Sequence, residues 1–333
     1  MNNDRPATHP VIEHFQIDTT AITVTDAAAV DPARRIAARV LAAVSRTADR
    51  HRPDSEVAEL NARATSAPVQ QDISATLASI LHASFAAHHR TDGLVTPTVG
   101  GALSAWGFDD DAEQPIVAPS HRPGRIALPQ LHGQDLAMTA GTILDLGAIA
   151  DPWAADSIAR QIVAATGSGV LVDVDGNIST AGPGPRGGWP VAVGDADTRP
   201  PSTATIFISG GGVATSSTTT CNRHRSTTLR PAQRQAIRGH RATDVCDIID
   251  PRMNEPAGRF FRTVSVAAPS CVAANTISLQ AVVAGRPAIN RLRRWGQTAR
   301  LVQWDGSIIH TGRWPADGEN HGAAHHHHLK ELA

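Results

Sequence analysis

The chain has 333 residues, a formal net charge of −1 and an isoelectric point near 7.0, which gives no electrostatic reason to expect a nucleic acid or an anionic membrane as partner. Lys330 is its only lysine, so no Schiff-base lysine or phosphate-loop lysine operates in the body of the protein. Hydrophobic residues at 41% suffice for a packed core, and the length allows either two domains of average size or one large one.

The opening residues Met1 to Pro6 lack the basic start, apolar stretch and small-residue cleavage site of a secretory signal. Cys221, Cys246 and Cys271 form an odd and widely spaced set, as expected of reduced thiols in a cytoplasm. Cys221 with His224 has no second pair at zinc spacing. Residues 1–10 and 316–333 read as disordered ends, the latter carrying the His325 to His328 run. Residues 11–315 read as one domain.

Between Val11 and Thr25, the apolar positions Ile12, Phe15, Ile17, Ile22 and Val24 predict two strands joined by a turn. Ile36, Val40, Leu41 and Val44 fall at helical spacing, which predicts a helix over Asp31 to Ala48. Leu77, Ile80, Leu81 and Phe85 predict another over Ile73 to His89, with a loop between the two. Ala155, Ile158 and Ile162 mark a helix from about Trp153 to Thr166, preceded by a short strand or turn at Leu144 to Gly147. Gly169 to Val174, Trp189 to Val193 and Val264 to Ala268 read as strands, and a helix begins near Asn275. Residues 178–205, rich in Gly, Pro and Thr, read as exposed connections, and Thr218 to Arg241, with six arginines and no apolar period, as an extended loop. Short strands with amphipathic helices, without regular alternation, predict an α+β fold. No internal repeat or membrane-length apolar run is present.

Several polar segments suit a nucleotide. Asp145 before Gly147 at a strand-to-helix junction lets backbone amides face a ligand while the carboxylate accepts hydrogen bonds, although an ordinary capped turn has the same composition. Asp173-Val174-Asp175-Gly176-Asn177 is a strand end with a polar turn that closes around a nucleotide or simply joins a hairpin. Ser209 to Ser217 combines three glycines with the hydroxyls of Thr215 and Ser216, suited to a diphosphate or to a flexible linker. Asn275 with Ser278 reads as a helix cap or as a pair of oxygen ligands on one helical face.

Six segments fall in one order: Ser55 to Asn61, Thr96 to Gly100 with Trp106-Gly107-Phe108, Leu144 to Ala150, Asp173 to Asn177, Ile248 to Pro251, and Ala274 to Ser278. Together they resemble the FAD:protein FMN transferases, the ApbE family, over roughly residues 12 to 310. The resemblance implies a T-fold-like α+β architecture, FAD as ligand, Mg²⁺ as metal, and transfer of FMN to a Ser or Thr of a partner protein with release of AMP. It places Thr98, Asp145, Gly147, Ala148, Asp175, Gly176, Asn177, Thr215, Ser216, Asp250 and Pro251 at the flavin. The metal would be held by the Ala150 carbonyl, Asn275 and Ser278.

The chain departs from the family pattern at several of these points. Thr96 stands for an Asp, Asp151 and Pro152 for a lysine and a glycine, Asp247 for a histidine, and Asn275 and Leu279 for an Asp and a Thr that ligate the metal. Asp175 and Asn177 replace a glycine and an acid. Asp151 and Asp247 are therefore candidates for rebuilding the catalytic charge, with Asp247 as proton acceptor and Asp151 as an additional metal ligand. Two alternatives stay open: a flavin-binding protein without transfer, and a different reaction in the same pocket, such as FAD hydrolysis or a biosynthetic step.

Overall fold

The computed structural model describes residues 12–106, 108, 127–195, 202–219 and 246–315. The ends expected at 1–10 and 316–333, most of the arginine-rich stretch, Cys221 and His224 lie outside the described residues. The first segment forms the expected hairpin of β1 (Glu13–Ile17) and β2 (Thr20–Val24). Helix α1 (Val30–Ala48) follows, burying Ile36, Val40 and Val44.

Helix α2 (Glu56–Ala64) occupies residues expected as loop. Its signals are compact: the Ser55 Oγ accepts from the Ala58 N–H as N-cap, and Val57, Leu60 and Ala64 repeat at helical spacing, all fully buried. Strand β3 (Val69–Asp72), helix α3 (Ala75–Arg90) and the short helix α4 (Gly100–Ala105) come next. β4 (Gln130–His132) and β5 (Asp135–Met138) complete a small sheet of order β3-β5-β4.

Helix α5 spans Gly147–Thr166 and so begins well before Trp153, with Pro152 inside it. A proline ordinarily ends such a reading. Beyond it lie β6 (Val170–Val174), β7 (Asn177–Ala181), β8 (Trp189–Asp195), β9 (Ser202–Ile208) and β10 (Gly211–Ser217). Stretches of residues 178–205 expected as exposed connections are thus strand, because the glycines and prolines between them mark turns rather than one long loop. The chain ends with β11 (Ile249–Asp250), β12 (Glu255–Pro256), β13 (Phe261–Ala268), α6 (Cys271–Ala284), α7 (Pro287–Arg294), β14 (Thr298–Gln303) and β15 (Ile308–Thr311).

An eight-stranded sheet of order β1-β2-β6-β7-β10-β13-β14-β15, antiparallel at every pairing, is the central layer. Helices α5 and α6 cover one face. Ile158 and Ile162 of α5 meet Val170, Val172 and Val174, while Ala274, Ala281 and Val282 of α6 meet Ala214, Val264, Val266 and Leu301. Each of these large aliphatic side chains contributes roughly 1.5–3 kcal/mol on burial. The β8–β9 hairpin covers the other face, where Trp189, Val191, Val193 and Ile206 pack on Val213 and Leu171. Helices α1, α2 and α3 add an outer layer around α5. The architecture is α+β, as expected.

Candidate functional site

The segment from Ile143 to Ala150 enters α5 and is gripped from three sides. Asn61, on α2, uses both ends of its amide: Nδ2 donates to the Leu144 carbonyl (2.8 Å) and Oδ1 accepts from the Leu144 N–H (2.7 Å). The Asp145 N–H donates to the Pro97 carbonyl (2.8 Å). Gly100 lets the Thr96 to Gly100 segment approach, since a Cβ there would sit 2.8 Å from the Ile143 carbonyl oxygen. Two of the signature segments therefore exist to place a third.

Asp145 has both carboxylate oxygens engaged. Oδ1 accepts from the Gly147 N–H (3.0 Å), and Oδ2 lies 2.8 Å from Arg50 Nε in an ion pair whose side chains are 7% and 16% exposed. Arg50 Nη1 also reaches the Gly100 carbonyl (3.4 Å) and Ser104 Oγ (3.3 Å), tying α4 to the same carboxylate. Burial pushes the Asp145 carboxyl above its ordinary range, opposed by Arg50, the Gly147 N–H and His51, and assisted by Asp247. Asp247, exposed at the surface, is thus among the charges acting on Asp145.

Thr98 is buried, with its hydroxyl 3.1 Å from that of Thr96. The Asp250-Pro251 turn joins β11 to β12. Arg252 donates to both Asp250 oxygens, from Nε (2.9 Å) and Nη2 (2.7 Å). Trp106 Nε1 donates to the Asn254 carbonyl (2.9 Å), and Trp106, Phe108 and Ile249 share one apolar cluster. The Trp106 and Asp250 segments are in this way brought together beside the Asp145 loop.

Asp175 and Gly176 form a two-residue hairpin turn between β6 and β7, with φ of 48° and 82°, the conformation a type I′ turn requires. The Gly176 N–H donates to Asp173 Oδ1 (2.7 Å), and Asn177 Nδ2 donates to the Val174 carbonyl (3.1 Å). The tip faces Asp151: burial first, then Asp175 and Asp49, push the Asp151 carboxyl up to about 6. Asp151 thus answers first to burial and then to these carboxylates, while Asp247 acts on Asp145.

Thr215 and Ser216 point to opposite faces of β10. The Thr215 hydroxyl meets Ser265 Oγ (2.8 Å) across the ladder to β13. The Ser216 hydroxyl meets Ser278 Oγ (2.7 Å) under α6. Ser278 is fully buried, and its Oγ donates to the Asn275 carbonyl (3.0 Å). Asn275 Nδ2 donates to the Ala148 carbonyl (2.5 Å), and Leu279 packs with Ala148 and Ile149 in an apolar cluster.

A Mg²⁺ ion needs several oxygens aimed at one point. Asn275 instead turns an N–H donor toward α5, Ser278 is enclosed, and Leu279 supplies no oxygen. Among the described residues no group of three or more His, Cys, Asp or Glu is placed to hold a metal ion. The donors present do not fit Mg²⁺ between α5 and α6.

Two further residues build the site without a signal in their own letters. Arg50 is described above. Asp156, buried on α5, accepts from Ser179 Oγ (2.7 Å), the Cys271 N–H (2.9 Å) and the Val272 N–H (3.1 Å), and so anchors the start of α6 to α5. An acid within the alanine-rich face of a helix was its only trace.

Over 258 residues the chain is 26% identical to a FAD:protein FMN transferase of Escherichia coli (strain K12), covering 73% of this chain and 69% of that protein. Over 257 residues it is 28% identical to one of Treponema pallidum (strain Nichols), covering 71% and 66%. Among solved structures, the flavin transferase ApbE from Vibrio cholerae superimposes with a TM-score of 0.69 at 20% identity, covering 91% of this chain and 97% of that one. The apo form of the Pseudomonas stutzeri flavinyl transferase ApbE gives 0.72 at 18%, covering 92% and 96%; at these identities the likeness is one of fold. Residues 17–302 match the family model described as the ApbE family, and the chain belongs to that family.

Proposed function

We propose that this protein binds FAD around the start of α5 and transfers its FMN moiety to a Ser or Thr hydroxyl of an acceptor protein. The acceptor oxygen forms a bond to the FMN phosphorus, the phosphoanhydride breaks, AMP leaves with the bridging oxygen, and the hydroxyl proton passes to Asp247. The observation that carries this reading is the Asp145 loop, held in a single shape by Asn61, Pro97 and Arg50. Such effort on a short polar segment at a helix start suits a bound anionic nucleotide.

Flavin contacts are assigned to Thr98, Asp145, Gly147, Ala148, Asp250 and Pro251, with Asp175, Gly176 and Asn177 at the hairpin tip. Thr215 and Ser216 lie on opposite faces of one strand, so a single ligand face takes only one of them. Asp151 is assigned as a second acid of the pocket, titrating at about 6. No step is routed through a metal held by Ala150, Asp151, Asn275 and Ser278. No described helix is long and apolar enough to cross a membrane. The odd, widely spaced cysteines suit a reducing compartment, and on that ground we place the protein in the cytoplasm.

The test is to incubate purified protein with FAD and a Ser/Thr-containing acceptor and to separate FAD, FMN, AMP and flavinylated product. Saturable FAD binding with AMP release and a covalently fluorescent acceptor is the expected result; no binding at high micromolar FAD would refute it. A second reading, a flavin-binding protein without transfer, is favoured by the Asn275 contact alone, and binding without AMP release would select it.

A further inference from the structure

In a regular α-helix the Ala148 carbonyl accepts from the N–H of residue 152. Residue 152 is proline, which has no N–H. The acceptor left open is on a half-buried residue that packs with Leu279 and Ile149, and a carbonyl partly withdrawn from water gains from a partner. Asn275 Nδ2, from the neighbouring helix, donates to that same oxygen. Asn275 is itself 8% exposed, and the first turns of α6 are held in place by Ser278 on the Asn275 carbonyl and Asp156 on the Cys271 and Val272 amides.

We infer that Pro152 and Asn275 are one device: the proline opens the Ala148 carbonyl, the asparagine amide closes it, and a hydrogen bond fastens the flavin loop to α6 without a divalent cation. The chemistry explains why residue 275 is an amide. A carboxylate there has no hydrogen to donate and would set its negative charge against the carbonyl lone pairs, which a cation would have to bridge. Leu279, one turn further on, packs in a cluster with Ala148 and Ile149 and supplies no oxygen, so the interface suits a neutral hydrogen bond. FAD binding by this protein is accordingly independent of divalent metal, a consequence that rests on the proposed flavin site; the Pro152–Asn275 coupling does not.

The coupling is tested in the flavin-free protein by a double-mutant cycle read as thermal midpoints. Asn275→Asp and Asn275→Ala each lower the midpoint by several degrees, about 2 °C or more per kcal/mol lost. With Pro152→Ala, which restores the missing N–H, the same substitutions cost less than half as much. Equal losses in both backgrounds overturn the device. Should a variant not fold, the unaltered protein decides the metal: its midpoint stays within about 1 °C, and its FAD dissociation constant, followed by flavin fluorescence, within about twofold, between excess Mg²⁺ and EDTA. This window is narrow beside the tenfold change that each 1.4 kcal/mol of cation contribution would produce. A midpoint raised by Mg²⁺, or FAD affinity lost in EDTA, overturns metal independence. Absence of FAD binding under both conditions refutes the flavin site and the metal-independence drawn from it, while the unfolding cycle still judges the coupling.

Discussion

Replacing Arg50 by methionine keeps most of the side chain's apolar volume and removes the guanidinium that faces Asp145. The pair is buried, with side chains 7% and 16% exposed and an Nε to Oδ2 distance of 2.8 Å. Deleting one partner of such a pair leaves an uncompensated charge and costs roughly 3–5 kcal/mol. Asp145 keeps the Gly147 N–H and a sliver of solvent, and the bonds of Arg50 to Gly100 and Ser104 are long, so the loss belongs at the lower end, about 3 kcal/mol. Urea unfolding at pH 7 measures it. The pH dependence has a definite sign. Without Arg50 the folded-state Asp145 carboxyl rises further above its ordinary 3.8, and a raised carboxyl costs stability as pH climbs from the unfolded value to the folded one. The deficit of Arg50→Met is therefore full near neutrality and fades on acidification as Asp145 takes up its proton. Adding Asp145→Asn should recover most of it. A loss below about 0.5 kcal/mol, the ordinary range of surface changes, or a deficit unchanged between neutral and acid pH, would refute the claim that Arg50 holds the loop by charge.

Asp151, titrating at about 6 instead of 3.8, makes the unaltered protein lose stability between about pH 4 and 6 and no further above that; Asp151→Asn should flatten the urea midpoint across this window and gain about 1–3 kcal/mol at pH 7.5. Asp156→Asn keeps one acceptor oxygen but turns an N–H2 toward backbone donors, so a loss of about 2–4 kcal/mol is expected by the same assay. Gly100→Ala should weaken FAD binding more than stability, because its Cβ would press on the Ile143 carbonyl 2.8 Å away and shift the Asp145 loop. Asp250→Ala should cost less than about 1 kcal/mol of stability, since its partner Arg252 is 58% exposed; a marked loss of FAD affinity would then report a direct role at the ligand.

Where a periodic signal was long, the fold was legible. Helix α1 agrees with the expectation within a residue or two because its apolar positions recur over five turns, and the β1–β2 hairpin follows from strict alternation. Helix α2 was missed because nine residues hold only two repeats of the pattern, and its decisive feature, the Ser55 cap, is one hydroxyl on one N–H. The early start of α5 was missed for the opposite reason: a correct rule about proline gave the wrong boundary. The rule assumes that the freed carbonyl has no other donor, and here Asn275 supplies one from another helix.

The site divides along the same line. Segments such as Leu144 to Ala150 announce themselves by composition, and Asn61 and Pro97, which hold that loop, lie in two other such segments; Arg50, its third holder, does not, being distant in sequence and ordinary in type. Nothing in the surroundings of Arg50 distinguishes it from the other arginines until Asp145 lies 2.8 Å away. Asn275 gives the sharper case. Read alone, it was a metal ligand that had lost its charge, and Asp151 was an acid newly placed to compensate. In the fold, the amide of Asn275 completes the hydrogen bonding of a helix broken by Pro152, and Asp151 is an acid whose pKa is raised first by burial and then by the neighbouring carboxylates Asp175 and Asp49. A departure from a family pattern therefore has two physical meanings, decay of a function or completion of a different contact. Only the partner of the new side chain tells them apart.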